Sequence, residues 1–253
     1  MKKIIYIIIF LFSVVTIAQN DALFNVGNDL YNEGKFQDAI KKYEAVIKTG
    51  EHSAELYFNI ANAYYKLNNT AQSIYYYEKA LLLSPNDEDI KNNLAFARNM
   101  TIDAIEEIPD IGFSKTMKTI TNSFSFDGWA KLSVLLVLLF VVFFLGYYFS
   151  FETVRKRIAF LSSVTSLGLM LITLFFAFQK YNYEQKNKPA IVFAQESEIK
   201  AEPNLRSEEN FKLHEGTKVQ VLEKFDNNWF KIKIADGKTG WIPSEDIRLL
   251  NAF

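Results

Sequence analysis

The chain has 253 residues, a formal net charge of −1 and no cysteine. The near-neutral charge argues against nucleic-acid binding, because no excess of basic residues is present to neutralise phosphates. The lack of cysteine excludes disulfides, thiol nucleophiles, zinc–thiolate and iron–sulfur sites, and a lipid anchor that requires cysteine.

The first eighteen residues have the composition of a secretory signal peptide. Met1-Lys2-Lys3 is a basic start, an apolar run follows to Ile17, and Thr16 and Ala18 stand where a signal peptidase requires small residues. We predict that residues 1–18 are a signal peptide cut after Ala18. The alternative is an uncleaved anchor helix, and either one delivers the following segment to the far side of a membrane.

Residues 19–105 contain an internal repeat. At an offset of thirty-four residues, Leu23–Asn28 aligns with Tyr57–Asn62, and Tyr43 aligns with Tyr77. This pattern resembles the tetratricopeptide repeat, a pair of antiparallel helices with this period. The resemblance predicts an all-α domain with repeats at 20–53 and 54–87. A helix over 88–105, with Asp87 as its N-cap, is expected to cover the apolar end of the second repeat.

The resemblance also implies a peptide-binding concave face on the first helix of each repeat. By alignment, the candidate binding residues are Asn28, Tyr31, Asn32, Asn59, Asn62, Tyr65 and Lys66. Asparagine offers a donor and an acceptor, so this row is predicted to hydrogen-bond the backbone of a bound partner protein. The alternative is an ordinary solvated helix face. Phe24 and Phe58 occupy positions where a carboxylate clamp would need lysine, so recognition of a C-terminus is not expected.

The segment 106–129 is predicted to be a linker. Within it, Met117, Ile120 and Phe124 fall at helical spacing beside basic residues, which favours an amphipathic helix at the membrane surface with Trp129 as an interfacial anchor. An irregular tether is the alternative.

Two long apolar segments follow, at 130–151 and 158–178. As helices, each is about 30 Å long, which matches the hydrocarbon core of a bilayer. The first contains one charge, Lys131 near its start, and the second contains none. Neither has the polar face of a helix in a soluble protein. We therefore predict a transmembrane helical hairpin rather than two helices of a soluble core.

The predicted turn, residues 152–157, contains Arg155, Lys156 and Arg157. Their density favours a cytoplasmic turn, although lysines outside the hairpin make a simple count of basic residues nearly even. The signal sequence independently predicts that the preceding domain is exported. Because a hairpin returns the chain to the side that it left, both soluble domains are predicted to be periplasmic, with the protein in the bacterial inner membrane.

After a linker over 179–189, the apolar period changes to two. Phe230, Ile232 and Ile234 alternate with lysines, as in a strand with one buried face. Asp236-Gly237 is typical of a tight primed hairpin turn. The segment 190–250 is therefore predicted to be an all-β domain.

The order and spacing of three stretches, Leu213–Val219, Trp229–Ile232 and Asp236–Pro243, resemble the bacterial SH3-like domain. That resemblance implies a small barrel that acts as a binding module, in several cases for cell-wall peptide or partner proteins. Trp229 and Trp241 are expected to be core and turn-packing residues, with a ligand platform as the alternative.

The sequence offers no candidate catalytic, metal or cofactor site. His52 and His214 have no second histidine or carboxylate at ligand spacing, and the usual nucleophile-elbow, phosphate-loop, dinucleotide and zinc-protease motifs do not occur. We therefore predict that the protein is not an enzyme and needs no cofactor.

The order of signal peptide, tetratricopeptide repeats, two-helix hairpin and SH3-like domain resembles the BatE-like membrane proteins of the Bacteroidetes aerotolerance operon. This resemblance implies a multi-domain membrane protein that works as a scaffold or adaptor in an envelope complex. Its implied partners are other Bat-type membrane proteins, including those with von Willebrand factor A domains. The alternative is a peptidoglycan-binding wall tether or an adaptor for a cell-wall hydrolase.

Overall fold

A computed structural model of the chain describes residues 20–105, 112–186 and 188–250. The predicted signal peptide lies outside the described residues. The chain forms two compact units. The described residues 20–105 and 188–250 belong to one unit, and residues 112–186 belong to the other.

The first unit begins with five helices. They are α1 (residues 20–32), α2 (Phe36–Lys48), α3 (Ala54–Lys66), α4 (Thr70–Leu83) and α5 (Glu88–Arg98). The Ser53 hydroxyl accepts the backbone N–H of Leu56 at the start of α3, and the Asp87 carboxylate accepts the N–H of Ile90 at the start of α5. Capping of this kind satisfies backbone donors that have no partner within the helix.

The repeat period of thirty-four places equivalent residues in the core of the helical domain. Tyr43 and Tyr77 are 1 % and 0 % exposed, and Ile74 between them is 0 % exposed. Gly27 allows α1 to approach Tyr43 closely, since a Cβ atom there would lie 2.4 Å from the tyrosine ring. The helices therefore pack as the repeat pattern predicts.

Helix α5 buries Ile90, Leu94 and Ala97 against the preceding helices. It ends at Arg98, whereas the sequence predicts a helix to residue 105. Beyond it the chain turns toward the C-terminal domain, where Ile105 packs against the apolar core of the strands. Contacts with that domain thus end the helix earlier than its own composition suggests.

The C-terminal part of the first unit is a seven-stranded antiparallel sheet. The strands are β1 (Lys188–Val192), β2 (Glu196–Lys200), β3 (Glu209–His214), β4 (Lys218–Phe225), β5 (Trp229–Lys233), β6 (Thr239–Pro243) and β7 (Ile247–Leu249). Their order is β3-β2-β6-β5-β4-β1-β7. Ile199, Ile232 and Ile242 are fully buried between them. This arrangement is consistent with the SH3-like fold predicted from the sequence.

The predicted primed turn between β5 and β6 is wrong. The loop is longer, with Gly237 donating to the carbonyl of Ile234 and Ile234 donating to that of Lys238. Of the residues in this loop, only Gly237 has a positive φ, of 92°. A primed two-residue turn of the Asp-Gly kind needs positive φ at both positions, so Asp236 does not play that part.

The second unit consists of three helices, α6 (Gly112–Thr121), α7 (Phe126–Phe149) and α8 (Thr153–Lys186). Helices α7 and α8 are long and apolar enough to cross a membrane. Only 6 % of the most apolar stretch of α7 and 17 % of that of α8 is buried within the protein. The predicted fold class, with a helical repeat domain, two apolar helices and an antiparallel strand domain, is confirmed.

Helices α7 and α8 are joined by polar contacts between their apolar faces. The Ser133 hydroxyl donates to Thr173 Oγ1 at 2.9 Å, and the Ser166 hydroxyl donates to the carbonyl of Leu136 at 2.7 Å. Small hydroxyl residues of this kind allow close approach and interhelical hydrogen bonds in lipid.

Two features of this unit differ from the sequence-based expectation. The predicted turn at 152–157 is shorter, because α8 already begins at Thr153 and includes Arg155–Arg157 in its first turns. Trp129 is only 7 % exposed and donates its indole N–H to the carbonyl of Thr121, so its ring packs within the unit instead of projecting as an anchor. Hydropathy marks where apolar composition changes, whereas backbone hydrogen bonding decides where a helix begins.

Candidate partner-binding site

The helix face that is predicted to be concave carries a twofold repeated set of side chains. Phe24, Asn28 and Tyr31 on α1 recur after thirty-four residues as Phe58, Asn62 and Tyr65 on α3. Residues four and three positions apart lie on one face of a helix. The two helices therefore present the same aromatic and amide pattern twice.

Both repeated asparagines have an internal hydrogen bond. The hydroxyl of the buried Tyr43 donates to Asn28 Oδ1 at 2.8 Å, and the hydroxyl of the buried Tyr77 donates to Asn62 Oδ1 at 2.5 Å. Burial raises the pKa of Tyr43 to about 12 and also raises that of Tyr77, so both hydroxyls keep their protons. The side-chain oxygens of these asparagines are thus already engaged.

The row is also connected between the repeats. Asn59 Nδ2 donates to Asn28 Oδ1 at 3.0 Å, so two of the predicted binding residues contact each other directly. Both repeated asparagines are partly exposed, and their side-chain oxygens are the atoms that these hydrogen bonds occupy. The asparagines of this face are therefore held in place by the fold.

The other predicted residues lie around this row. Tyr31 is half-buried with its ring 5.2 Å from that of Phe36, and Tyr65 is half-buried as well. Asn32 and Lys66 are exposed. These residues would form the accessible part of a binding surface.

Sequence reasoning missed the supporting role of the two phenylalanines. The ring centroid of Phe24 lies 5.8 Å from that of Tyr43, and that of Phe58 lies 5.9 Å from that of Tyr77. Each phenylalanine therefore packs against the tyrosine that holds the neighbouring asparagine. The constant offset of these residues within the two repeats is a signal that was present in the sequence.

A second candidate surface lies on the SH3-like domain. Trp229 and Trp241 alternate with the buried Ile232 and Ile242, which places them on the outer face of the sheet. Trp241 lies 5.9 Å from the exposed ring of Phe225. The expectation that these tryptophans belong to the core is therefore wrong. The expected turn packing is seen for Trp241, because Phe225 is the last residue of β4 before the turn to β5.

The helical and SH3-like domains pack against each other through an apolar centre. Ile191 and Leu250 are 0 % and 4 % exposed and join the core of the helical domain. The Tyr75 ring lies 5.6 Å from that of Phe193, whose face is covered by the Arg248 guanidinium at 4.2 Å. The two domains are thus in direct contact within one unit.

A polar cluster centred on Asp103 joins the same two domains. Its carboxylate accepts hydrogen bonds from the backbone N–H of His214 at 2.7 Å and from the hydroxyl of Thr217 at 2.6 Å. It also contacts His214 Nδ1 at 2.7 Å. Burial alone would raise the pKa of Asp103, but these hydrogen bonds outweigh it and hold the pKa below its ordinary value of 3.8.

A second charged contact lies on Glu78 of α4. Its carboxylate is 7 % exposed and pairs with Lys218 of the SH3-like domain at 2.6 Å and with Arg98 of α5 at 2.7 Å. A buried carboxylate of this kind requires such partners, because burial without them is costly. Neither cluster is predictable from the sequence, in which His214 has no second histidine or carboxylate at ligand spacing.

Among the described residues, no group of three or more histidine, aspartate or glutamate side chains is placed to hold a metal ion.

Comparison with known families agrees with these two domains. Residues 25–88 match the tetratricopeptide repeat, and residues 198–248 match the bacterial SH3 domain. No protein of curated function shows significant similarity to this chain. Both matched families are non-catalytic binding domains.

Proposed function

We propose that the protein is a non-enzymatic membrane-anchored scaffold that binds partner proteins through its helical repeats and SH3-like domain. The observation that carries this proposal is the repeated concave face, in which buried Tyr43 and Tyr77 orient Asn28 and Asn62. Preorganised donors lower the cost of binding, because less side-chain freedom is lost. The partner is expected to be an extended segment of another protein.

The finer proposal is that the partners belong to an envelope complex of the aerotolerance or stress-related type. The domain order that resembles BatE-like proteins supports it. The implied partners are Bat-type membrane proteins, including those with von Willebrand factor A domains.

Photo-crosslinking in native membranes tests the concave face. A photoreactive residue at the exposed Asn32 should give a defined adduct, whereas the same residue at the exposed Lys42 of α2 should not. Asn28→Asp with Asn62→Asp keeps the acceptors for the two tyrosines and removes the amide donors. We expect this double variant to fold normally and to lose most of the adduct.

The control for added negative charge is Asn86→Asp with Asn92→Asp, at two exposed positions away from the concave row. An adduct that is equally reduced in both double variants, or in neither, would contradict a role for the asparagine row.

For the membrane topology, we propose that α7 and α8 cross the bilayer and that both soluble domains are periplasmic. The direct packing of the two domains supports a common side for both, since docked domains must lie on the same side of a membrane, and the predicted signal peptide supports the periplasmic side. A single crossing between residues 105 and 188 would separate them. The apolar surfaces of α7 and α8 exposed in the structure fit a lipid environment.

The cysteine-free sequence allows a direct test of this topology. Single cysteines replace the exposed Asp38, Lys238 and Phe151, which lie in the helical domain, the SH3-like domain and the loop between α7 and α8. A membrane-impermeant maleimide should label Asp38→Cys and Lys238→Cys in intact spheroplasts. Phe151→Cys should react only after lysis, and its labelling in intact spheroplasts would refute the proposed topology.

A second candidate function is peptidoglycan binding by the SH3-like domain. It is favoured by the outer aromatic face, where the Lys231 ammonium lies 5.7 Å from the Trp241 ring centroid. Aromatic rings on a surface can pack against sugar rings, and the lysine can pair with peptide carboxylates. Co-sedimentation of the full chain with purified sacculi, lost in Trp241→Ala, would support this function, whereas no retention would exclude it.

A further inference from the structure

A small cavity lies where the start of α1 meets the α2–α3 connection. Its volume is about 160 Å³. Phe24, Val46 and Leu56 form its apolar part, and Asp21, Glu51 and Glu55 contribute carboxylates. It is well below the volume of about 300–1,000 Å³ that cofactor and drug-sized sites need. It is close to the cavity of about 150 Å³ that holds a single benzene ring, which is the size of one long side chain.

Asn20 forms part of the wall and has an unsatisfied atom. The residue is 7 % exposed, and its Nδ2 donates to Glu51 Oε2 at 2.6 Å and to Thr49 Oγ1 at 2.8 Å. Because a carboxylate only accepts hydrogen bonds, the contact with Glu51 fixes which side of the amide is the donor. Asn20 Oδ1 is buried and accepts no hydrogen bond from any of the residues that the structure describes. Such an atom is costly unless a donor reaches it.

The negative charge of the residues around the cavity indicates what kind of group would donate to Asn20 Oδ1. Within the described part of the chain, no lysine or arginine forms an ion pair with Asp21, Glu51 or Glu55. The ligand should therefore be a cation that also donates hydrogen bonds. A metal ion is disfavoured, since the described carboxylates do not converge as a ligand set.

We propose that this cavity binds the ammonium group and methylene stem of a lysine-type side chain from a partner. The methylenes would pack on Phe24, Val46 and Leu56, as lysine stems do on apolar surfaces. The ammonium group would lie among the carboxylates and donate to Asn20 Oδ1. This site shares Phe24 with the repeated face but includes none of its asparagines, so it does not depend on the function proposed there.

Saturation-transfer NMR on the full chain in detergent micelles tests the proposal with Nα-acetyl-lysine methylamide as the probe. Its norleucine analogue, which lacks only the ammonium group, is the matched control. We expect saturation of the lysine methylenes and at least tenfold weaker binding of norleucine. Equal binding of the two probes would overturn the proposal.

Variants locate the site. Asp21→Asn with Glu51→Gln preserves shape and removes two charges, and it should weaken lysine binding at least tenfold. Asp38→Asn, at an exposed carboxylate of α2 paired with Lys41, should leave binding unchanged. Lysine binding that is insensitive to the double variant, or equally sensitive to Asp38→Asn, would also overturn the proposal.

The same amine chemistry occurs in a polypeptide lysine and in the diaminopimelate of a wall peptide, and a diaminopimelate tripeptide serves as the second probe. Diaminopimelate carries a carboxylate beside its terminal ammonium, and the acidic cavity should repel it. We therefore expect the lysine probe to bind more tightly, which identifies a protein partner. Tighter binding of the tripeptide would assign the cavity to wall peptide instead.

Discussion

Replacing Asp103 with alanine should weaken the contact between the helical and SH3-like domains. The change removes the acceptor for the His214 backbone N–H and for the hydroxyl of Thr217, which is 6 % exposed. Leaving a buried donor without a partner costs about 1–3 kcal/mol. Two such donors therefore predict a loss of about 2–4 kcal/mol of docking free energy, since the threonine hydroxyl can rotate to recover part of its loss. That corresponds to a docking equilibrium about 30- to 1,000-fold weaker.

Distances between spin labels on the two domains measure this effect. In the cysteine-free background, Asp38→Cys and Lys238→Cys place one label on each domain at exposed positions. We expect a narrow distance distribution in the wild type that broadens at a lower urea concentration in Asp103→Ala. Asp103→Asn keeps a hydrogen-bond acceptor and loses the charge. The urea midpoint of its domain separation should therefore lie between those of the wild type and Asp103→Ala.

The control is Glu33→Ala, which removes an exposed carboxylate paired with Lys35 on the same helical domain. Its midpoint should match the wild type, because exposed ion pairs contribute little. An unchanged midpoint in Asp103→Ala would show that the three contacts do not hold the domains together.

Three further predictions concern the same unit. Gly216→Ala should weaken docking of the two domains more than Gly50→Ala does, as measured by spin-label distances, with circular dichroism to follow the folding of the helical domain. Both glycines have φ near +85°, so both substitutions strain the backbone. Of the two, only a Cβ at Gly216 would contact another residue, at 2.8 Å from Thr101. Docking should weaken in acid. The pKa of Asp103 is lowered in the folded protein, so its contribution to docking is present above the unfolded value near 3.8 and is lost as the pH falls through the folded value. Asp103→Asn should lack this acid-dependent loss in the same assay. Gly27→Ala should lower the free energy of unfolding of the helical domain by about 1–3 kcal/mol, and its urea midpoint should fall accordingly, because the added Cβ would clash with the buried Tyr43 ring. A gain in stability would contradict this.

Much of the helical domain is predictable from the sequence because its signal is periodic. The offset of thirty-four residues identifies Tyr43 and Tyr77 as equivalent core residues, and both are buried. The N-cap at Asp87 is predictable as well, since capping depends only on the adjacent chain. Alternating apolar residues likewise predict which side of β5 contains Ile232.

The contacts between the domains are not predictable in this way. Asp103 and His214 are 111 positions apart, and Glu78 and Lys218 are 140 apart. Each pair depends on the relative placement of two folded domains, which no local period encodes. The internal use of Asn28 and Asn62 is a different case, because their common offset of 15 residues from Tyr43 and Tyr77 was visible in the sequence.

The residues that join the two domains are far apart in the sequence, and this has a consequence for biogenesis. The Tyr75 hydroxyl donates to the carbonyl of Leu249 across 174 positions, so this contact forms only after residue 249 has been synthesised. Closing the long loop between Tyr75 and Leu249 is slow. Until the two domains dock, the apolar residues around Ile191 remain exposed. In a truncated or wrongly inserted chain these apolar residues would stay exposed to solvent. Quality-control proteases could therefore recognise such a chain and spare the folded protein.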